Sequence, residues 1–83
     1  MFVKKLTLNC LSVGDRARVR AVKGESGMHR RFLDLGLIPG TTVFCLGKSP
    51  SGDPAAYRIR GAVIAIRARD ASAITVQREE MLP

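Results

Sequence analysis

Few side chains in this sequence are of the types that carry reactive chemistry. His29 is the only histidine, and Cys10 and Cys45 are the only cysteines. A structural zinc site takes about four Cys or His ligands at close spacing. These three residues are dispersed, so His29 and Cys10 are no more than weak metal candidates. His29 is expected on the solvent side of a helix. Cys45 is expected as a small buried hydrophobe within an apolar strand. The serines (Ser12, Ser26, Ser49, Ser51 and Ser72) form no nucleophile elbow and no triad pattern. The acidic residues are scattered, and no Gly-x-x-x-x-Gly-Lys-[Ser/Thr] phosphate loop occurs. No catalytic residue, no cofactor and no enzyme activity is expected.

The remaining chemistry is cationic. Fourteen Lys and Arg stand against seven Asp and Glu, a formal net charge of +7. Such a balance favours an anionic partner: nucleic acid, an acidic protein face or an anionic membrane leaflet. Arg16, Arg18 and Arg20 share one strand face, and Arg58 and Arg60 share another. Side by side they would make a basic stripe able to follow phosphates. Single-strand binding also uses exposed aromatics for stacking. Tyr57 alternates with Arg58 and Arg60 and is therefore expected to point inward. The plainer reading makes these arginines the solvated faces of strands, with a nucleic-acid-binding barrel as the alternative. Grooves for Pro-rich peptides are aromatic-lined, and this chain has one Tyr and no Trp.

The elements that must carry these residues are short. A chain of 83 residues makes one small domain with a thin, mostly aliphatic core. Strict alternation over Arg16–Ala21 predicts a strand with Ala17, Val19 and Ala21 inward. Met28, Phe32 and Leu35 fall at helical spacing on one face, and Gly36 fits the position after the helix end. Leu37 is placed to contact Phe32 in a Schellman ending, and Pro39-Gly40 suits the centre of a type II turn. Further strands are expected over Thr41–Leu46, from Tyr57 to Arg60, from Ala62 to Arg67 and over Ile74–Val76. Pro50-Ser51-Gly52-Asp53-Pro54 reads as a loop, and a short helical turn is expected near Arg69–Ala73. About five short strands and one inserted helix point to an all-β-dominated fold, a small closed or partly closed barrel. One domain is expected over residues 1–77, with 78–83 as a frayed tail. The longest strongly apolar run, Ala62–Ile66, falls far short of the roughly 20 residues of a membrane-spanning helix. With no signal core after Lys4 and Lys5, both thiols are expected free in a reducing cytoplasm.

Leu33-Asp34-Leu35-Gly36-Leu37-Ile38-Pro39-Gly40 closely resembles the FeoA family of small accessory proteins of bacterial ferrous iron uptake. Leu11-Ser12-Val13-Gly14-Asp15 is similar to that family's L-x-x-G-D entry. Arg30-Arg31-Phe32-Leu33 resembles its basic-then-apolar helix, and Pro50–Pro54 its P-x-G-D-P loop. Ala65-Ile66-Arg67, Ala71 and Ile74-Thr75-Val76 resemble its closing pattern. The resemblance implies an SH3-like β-barrel and a cytoplasmic role beside FeoB, the membrane transporter of Fe²⁺ with a cytoplasmic GTPase domain. Expected contacts with the cytoplasmic part of FeoB are Arg30, Arg31, Asp34, Leu37, Ile38, Pro50 and Asp53. Leu37 has core packing as its competing role. A sharper form would make Arg30 or Arg31 a GTPase-stimulating arginine. The basic surface could add contact with an anionic membrane, and an uncovered barrel edge could pair with a second copy.

Overall fold

The computed structural model describes residues 5–24 and 27–79. Its strands are β1 (Lys5–Thr7), β2 (Arg16–Val22), β3 (Thr42–Lys48), β4 (Ala55–Ile59), β5 (Ala62–Ile66) and β6 (Ile74–Arg78). Two helices, α1 (Gly27–Asp34) and α2 (Ala68–Ala71), interrupt them. The six strands form one sheet in the order β1-β6-β2-β3-β4-β5, antiparallel throughout. The strand beyond the expected five is β1. There Leu6 stands opposite Val76, and the chain then tightens into a 3-10 turn over Leu8–Cys10.

One core serves the whole sheet. Ala17 and Val19 of β2, Val43 and Cys45 of β3, Tyr57 and Ile59 of β4, Ile66 of β5, and Ile74 and Val76 of β6 fall in a single cluster. Leu8, Leu11, Phe32, Leu37 and Ala71 complete it from the connections and helices. Strands at both ends of the order can share one core only if the sheet curls on itself, as in a small barrel. The Tyr57 hydroxyl, donating to the Leu8 carbonyl at 3.4 Å, ties β4 to the segment after β1.

Irregularities in two strands make the curvature and correct one expectation. The register shifts between Val19 and Ala21 on β2, and between Cys45 and Gly47 on β3. A bulge adds a residue and bends the strand. On β2 it reverses the phase, so Ala21 is exposed and Val22 packs on the core instead. On β3, Val43 and Cys45 face inward while the equally apolar Phe44 and Leu46 face outward.

The turns are built by backbone hydrogen bonds at the expected places. Leu37 N–H donates to the Phe32 carbonyl at 2.9 Å, and Gly36 N–H donates to Leu33 at 3.0 Å. With Gly36 at φ +97°, this is a Schellman ending. Thr41 N–H donates to the Ile38 carbonyl at 3.0 Å across Pro39-Gly40, and Gly40 has φ +96°, as a type II turn requires. Gly40 N–H and Thr41 carbonyl both bond Val19 at 2.8 Å, which pins this turn to β2. Gly14 N–H donates to the Cys45 carbonyl at 2.8 Å, so the Leu11–Asp15 entry docks on β3. β6 continues to Arg78, one residue into the expected tail. Glu79 N–H then donates to the Arg16 carbonyl at 2.9 Å, while residues 80–83 lie outside the described residues.

Candidate functional site

The sequence-predicted contact residues are divided between opposite ends of the β3–β4 ladder. At the near end, α1 stops at Gly36 and the chain turns through Pro39-Gly40 into β3. The tip of the β4–β5 hairpin, Arg60-Gly61, arrives at the same corner. Arg60 lies so close over Gly36 that a β-carbon there would run into its Cδ and Cγ. Arg60 has φ +51°, left-handed backbone without a glycine, which costs on the order of 1 kcal/mol. Leu33 and Ile38 are about two-fifths exposed at this corner, at 40% and 41%. Arg30, Arg31 and Asp34 of α1 are exposed beside them in sequence.

Leu37 does not belong to that surface. It is completely buried, because the Schellman ending turns it inward onto the core. Its place among the contact residues is therefore corrected: the competing role, core packing, is the one the fold uses.

At the far end, the Ser49–Pro54 loop satisfies itself. Gly52 N–H donates to the Ser49 carbonyl at 2.7 Å, and Ser49 N–H donates to the Pro54 carbonyl at 3.0 Å. The Asp53 carboxylate accepts the Ala68 N–H at 2.8 Å and so caps the first turn of α2. Pro50 and Asp53 are exposed, but β3 separates them from the Gly36 corner by roughly 20 Å of extended chain. A shallow hollow beside the loop, lined by Asn9, Lys48, Asp53 and Tyr57 among others, has room for little more than a water molecule.

The two sets of arginines do not lie side by side. In register, Arg16 stands opposite Phe44, Phe44 opposite Arg58, and Arg58 opposite Val63. β3 thus inserts an exposed aromatic between the two sets of arginines. Arg16 and Arg18 both meet the Glu79 carboxylate at 3.3 Å, and Arg78 meets Asp15 at 3.1 Å. Glu79 thus offsets part of the charge of Arg16 and Arg18 on β2, and Asp15 that of Arg78 on β6. Among the described residues, Arg58, Arg60 and Arg67 have no ion-pair partner.

His29 lies on α1 and is half-buried, not on the solvent side as expected; its Nδ1 has no hydrogen-bond partner among the described residues. Cys10 is exposed at the end of the 3-10 turn, with its Sγ 3.3 Å from the Thr7 hydroxyl. Among the described residues no three His, Cys, Asp or Glu side chains converge. Tyr57 points inward as alternation predicts, and burial, with Cys45, Asp53 and Cys10 adding smaller contributions, pushes its hydroxyl up to about 12. Burial likewise raises the Cys45 thiol. Sequence reasoning placed Arg60 on a solvated face but missed Leu33 and Val63 as surface features. The Arg60-Gly61 pair between an alternating run and an apolar one was the available signal for a tight hairpin. Nothing local announces that its tip lands on Gly36.

The FeoA domain model matches residues 6–78. A curated fusion protein of Fe(2+) transport protein A and Fe(2+) transporter FeoB from Porphyromonas gingivalis is 32% identical over 72 residues. That match takes in 87% of this chain but only 8% of the fusion protein's length. The solution structure of a FeoA-like protein from Clostridium acetobutylicum superposes with a TM-score of 0.86 at 31% identity, covering 100% of this chain and 95% of that one. Stenotrophomonas maltophilia FeoA, solved with zinc and described as a prokaryotic SH3 domain protein, gives 0.77 at 27% identity, covering 86% and 88%. Among the described residues, no helix is long and apolar enough to cross a membrane.

Proposed function

This chain belongs to the FeoA family, a family associated with ferrous iron transport, and from that premise we propose that it is a non-catalytic accessory protein. In this reading it docks on the cytoplasmic part of a FeoB-type transporter and modulates it from the cytoplasm. The observation that carries the reading is the Porphyromonas gingivalis relative, in which an A segment and FeoB share one chain. A covalent link holds two domains at effective concentrations on the order of millimolar. A docking surface on the A-type domain would make that encounter productive. The net charge of +7 also draws the protein toward an anionic inner leaflet, at about 1 kcal/mol for each Lys or Arg close to the surface.

The contacts we assign to this docking are Arg30, Arg31, Asp34 and Ile38 at the Gly36 corner, joined by Leu33 and Arg60. Pro50 and Asp53 form a separate, secondary contact. Capture of the purified protein by tagged FeoB tests the reading. Enrichment that drops on Arg30→Glu with Arg31→Glu supports it, and no enrichment of the unaltered protein would sink it.

A further inference from the structure

Among the described residues the sheet ends on β1 at one side and on β5 at the other. An edge without charge, proline or bulge is the kind that accepts a further strand. β5 has five residues, Ala62-Val63-Ile64-Ala65-Ile66, with no charge, no proline and no register shift against β4. Among the described residues no strand lies on its outer side. Val63 is the most exposed large apolar side chain described, at 61%.

The ladder defines what this edge offers. Ile59 faces Ala62 across the two-residue turn Arg60-Gly61. Antiparallel pairs alternate between bonded and non-bonded, so Ala62, Ile64 and Ile66 turn their backbone groups to β4. Val63 and Ala65 turn theirs outward. Two N–H and two C=O groups therefore stand ready for a seventh strand. Arg60 precedes this edge and Arg67 follows it; both are exposed, and neither has an ion-pair partner among the described residues.

We propose that β5 is a strand-addition site that takes an extended segment of the transporter's cytoplasmic part, apolar at its centre and acidic at its ends. The centre pairs with Val63 and Ala65, and the acidic ends meet Arg60 and Arg67. Main-chain bonds supply affinity in this recognition mode, and side chains supply specificity. Charge argues against a second copy as the occupant. Two-fold antiparallel pairing about Ile64 would set Arg67 of each copy opposite Gly61 and beside Arg60 of the other. Those like charges would meet on chains that each carry +7. The inference rests on the docking proposed above and extends its surface from the Gly36 corner along β5.

Amide hydrogen exchange, with and without purified FeoB cytoplasmic part, tests it. The expected result is new protection at Val63 and Ala65 in the complex. Ala65→Pro removes an outward N–H without touching the β4 pairing, and is expected to weaken binding about tenfold. Arg67→Glu should weaken binding more than Arg20→Glu, which makes the same charge change on β2. Binding with unchanged exchange at both amides would overturn strand addition while leaving docking intact. Concentration-dependent protection of these amides in the protein alone would overturn it in favour of a second copy. No binding by the unaltered protein would instead overturn the docking reading itself.

Discussion

The two ends of the β3–β4 ladder are both family-like turns, yet they are stabilised in different ways. The near corner is held from inside: Leu37 and Phe32 sit in the core, and Gly36 lies beneath Arg60. The far loop is held by exposed hydrogen bonds, with the Asp53 carboxylate capping α2. A corner anchored by buried side chains can present Leu33, Ile38 and Arg60 rigidly to a partner. A loop whose polar groups satisfy one another spends its most conspicuous acid on its own backbone. Resemblance to a family motif therefore does not by itself assign a contact.

The strongest way to break this contrast is Leu37→Ala. Truncating a fully buried leucine should cost about 2–5 kcal/mol, and a thermal melt would show it as a large fall in Tm. A shift of only a degree or two would mean that the corner is not anchored in the core. Alkaline titration probes the barrel interior beneath the far loop. Tyr57 ionises near 10 when unfolded but only at about 12 when folded. A folded-state value raised in this way contributes stability that is full below pH 10 and lost as pH rises toward 12. The loss should reach roughly 2–3 kcal/mol, with the raised Cys45 thiol acting in the same direction. Denaturant melts between pH 9 and 12 should show the decline, and Tyr57→Phe should flatten it.

Gly36→Ala comes next, at about 1–2 kcal/mol, from positive φ and from the displaced Arg60 side chain. In an Arg60→Gly background the cost should shrink, because that side chain no longer covers the site. Equal costs in both backgrounds would show that the Arg60 contact carries no energy. The smallest effect belongs to Asp53→Ala, about 0.5–1 kcal/mol through the lost α2 cap. If Asp53 instead dominates transporter capture with no change in Tm, the far loop is the primary contact and the comparison reverses.

Much of this fold is readable from local pattern. Alternation placed β2 and β4, a run rich in β-branched residues placed β5, helical spacing placed α1, and Gly36 and Pro39-Gly40 marked their turns. Positive φ and fixed proline φ are properties of single residues, so they survive without tertiary context. Ala21 failed because a bulge shifts phase by one residue, a change decided by the partner strand. The faces of Val43 to Leu46 were unreadable because all four are apolar, and only the sheet's curvature selects which are covered.

By itself, the sequence determined the elements other than β1, the turns, the cationic character and the family, since each rests on residue type and near-neighbour spacing. Tertiary structure decided which cations meet acidic partners, that Leu37 is core, that Arg60 covers Gly36, and that β5 ends the sheet among the described residues. Those outcomes depend on residues far apart in the chain, such as Arg16 with Glu79 and Gly36 with Arg60. Local spacing carries no record of which distant surfaces the closing barrel brings together.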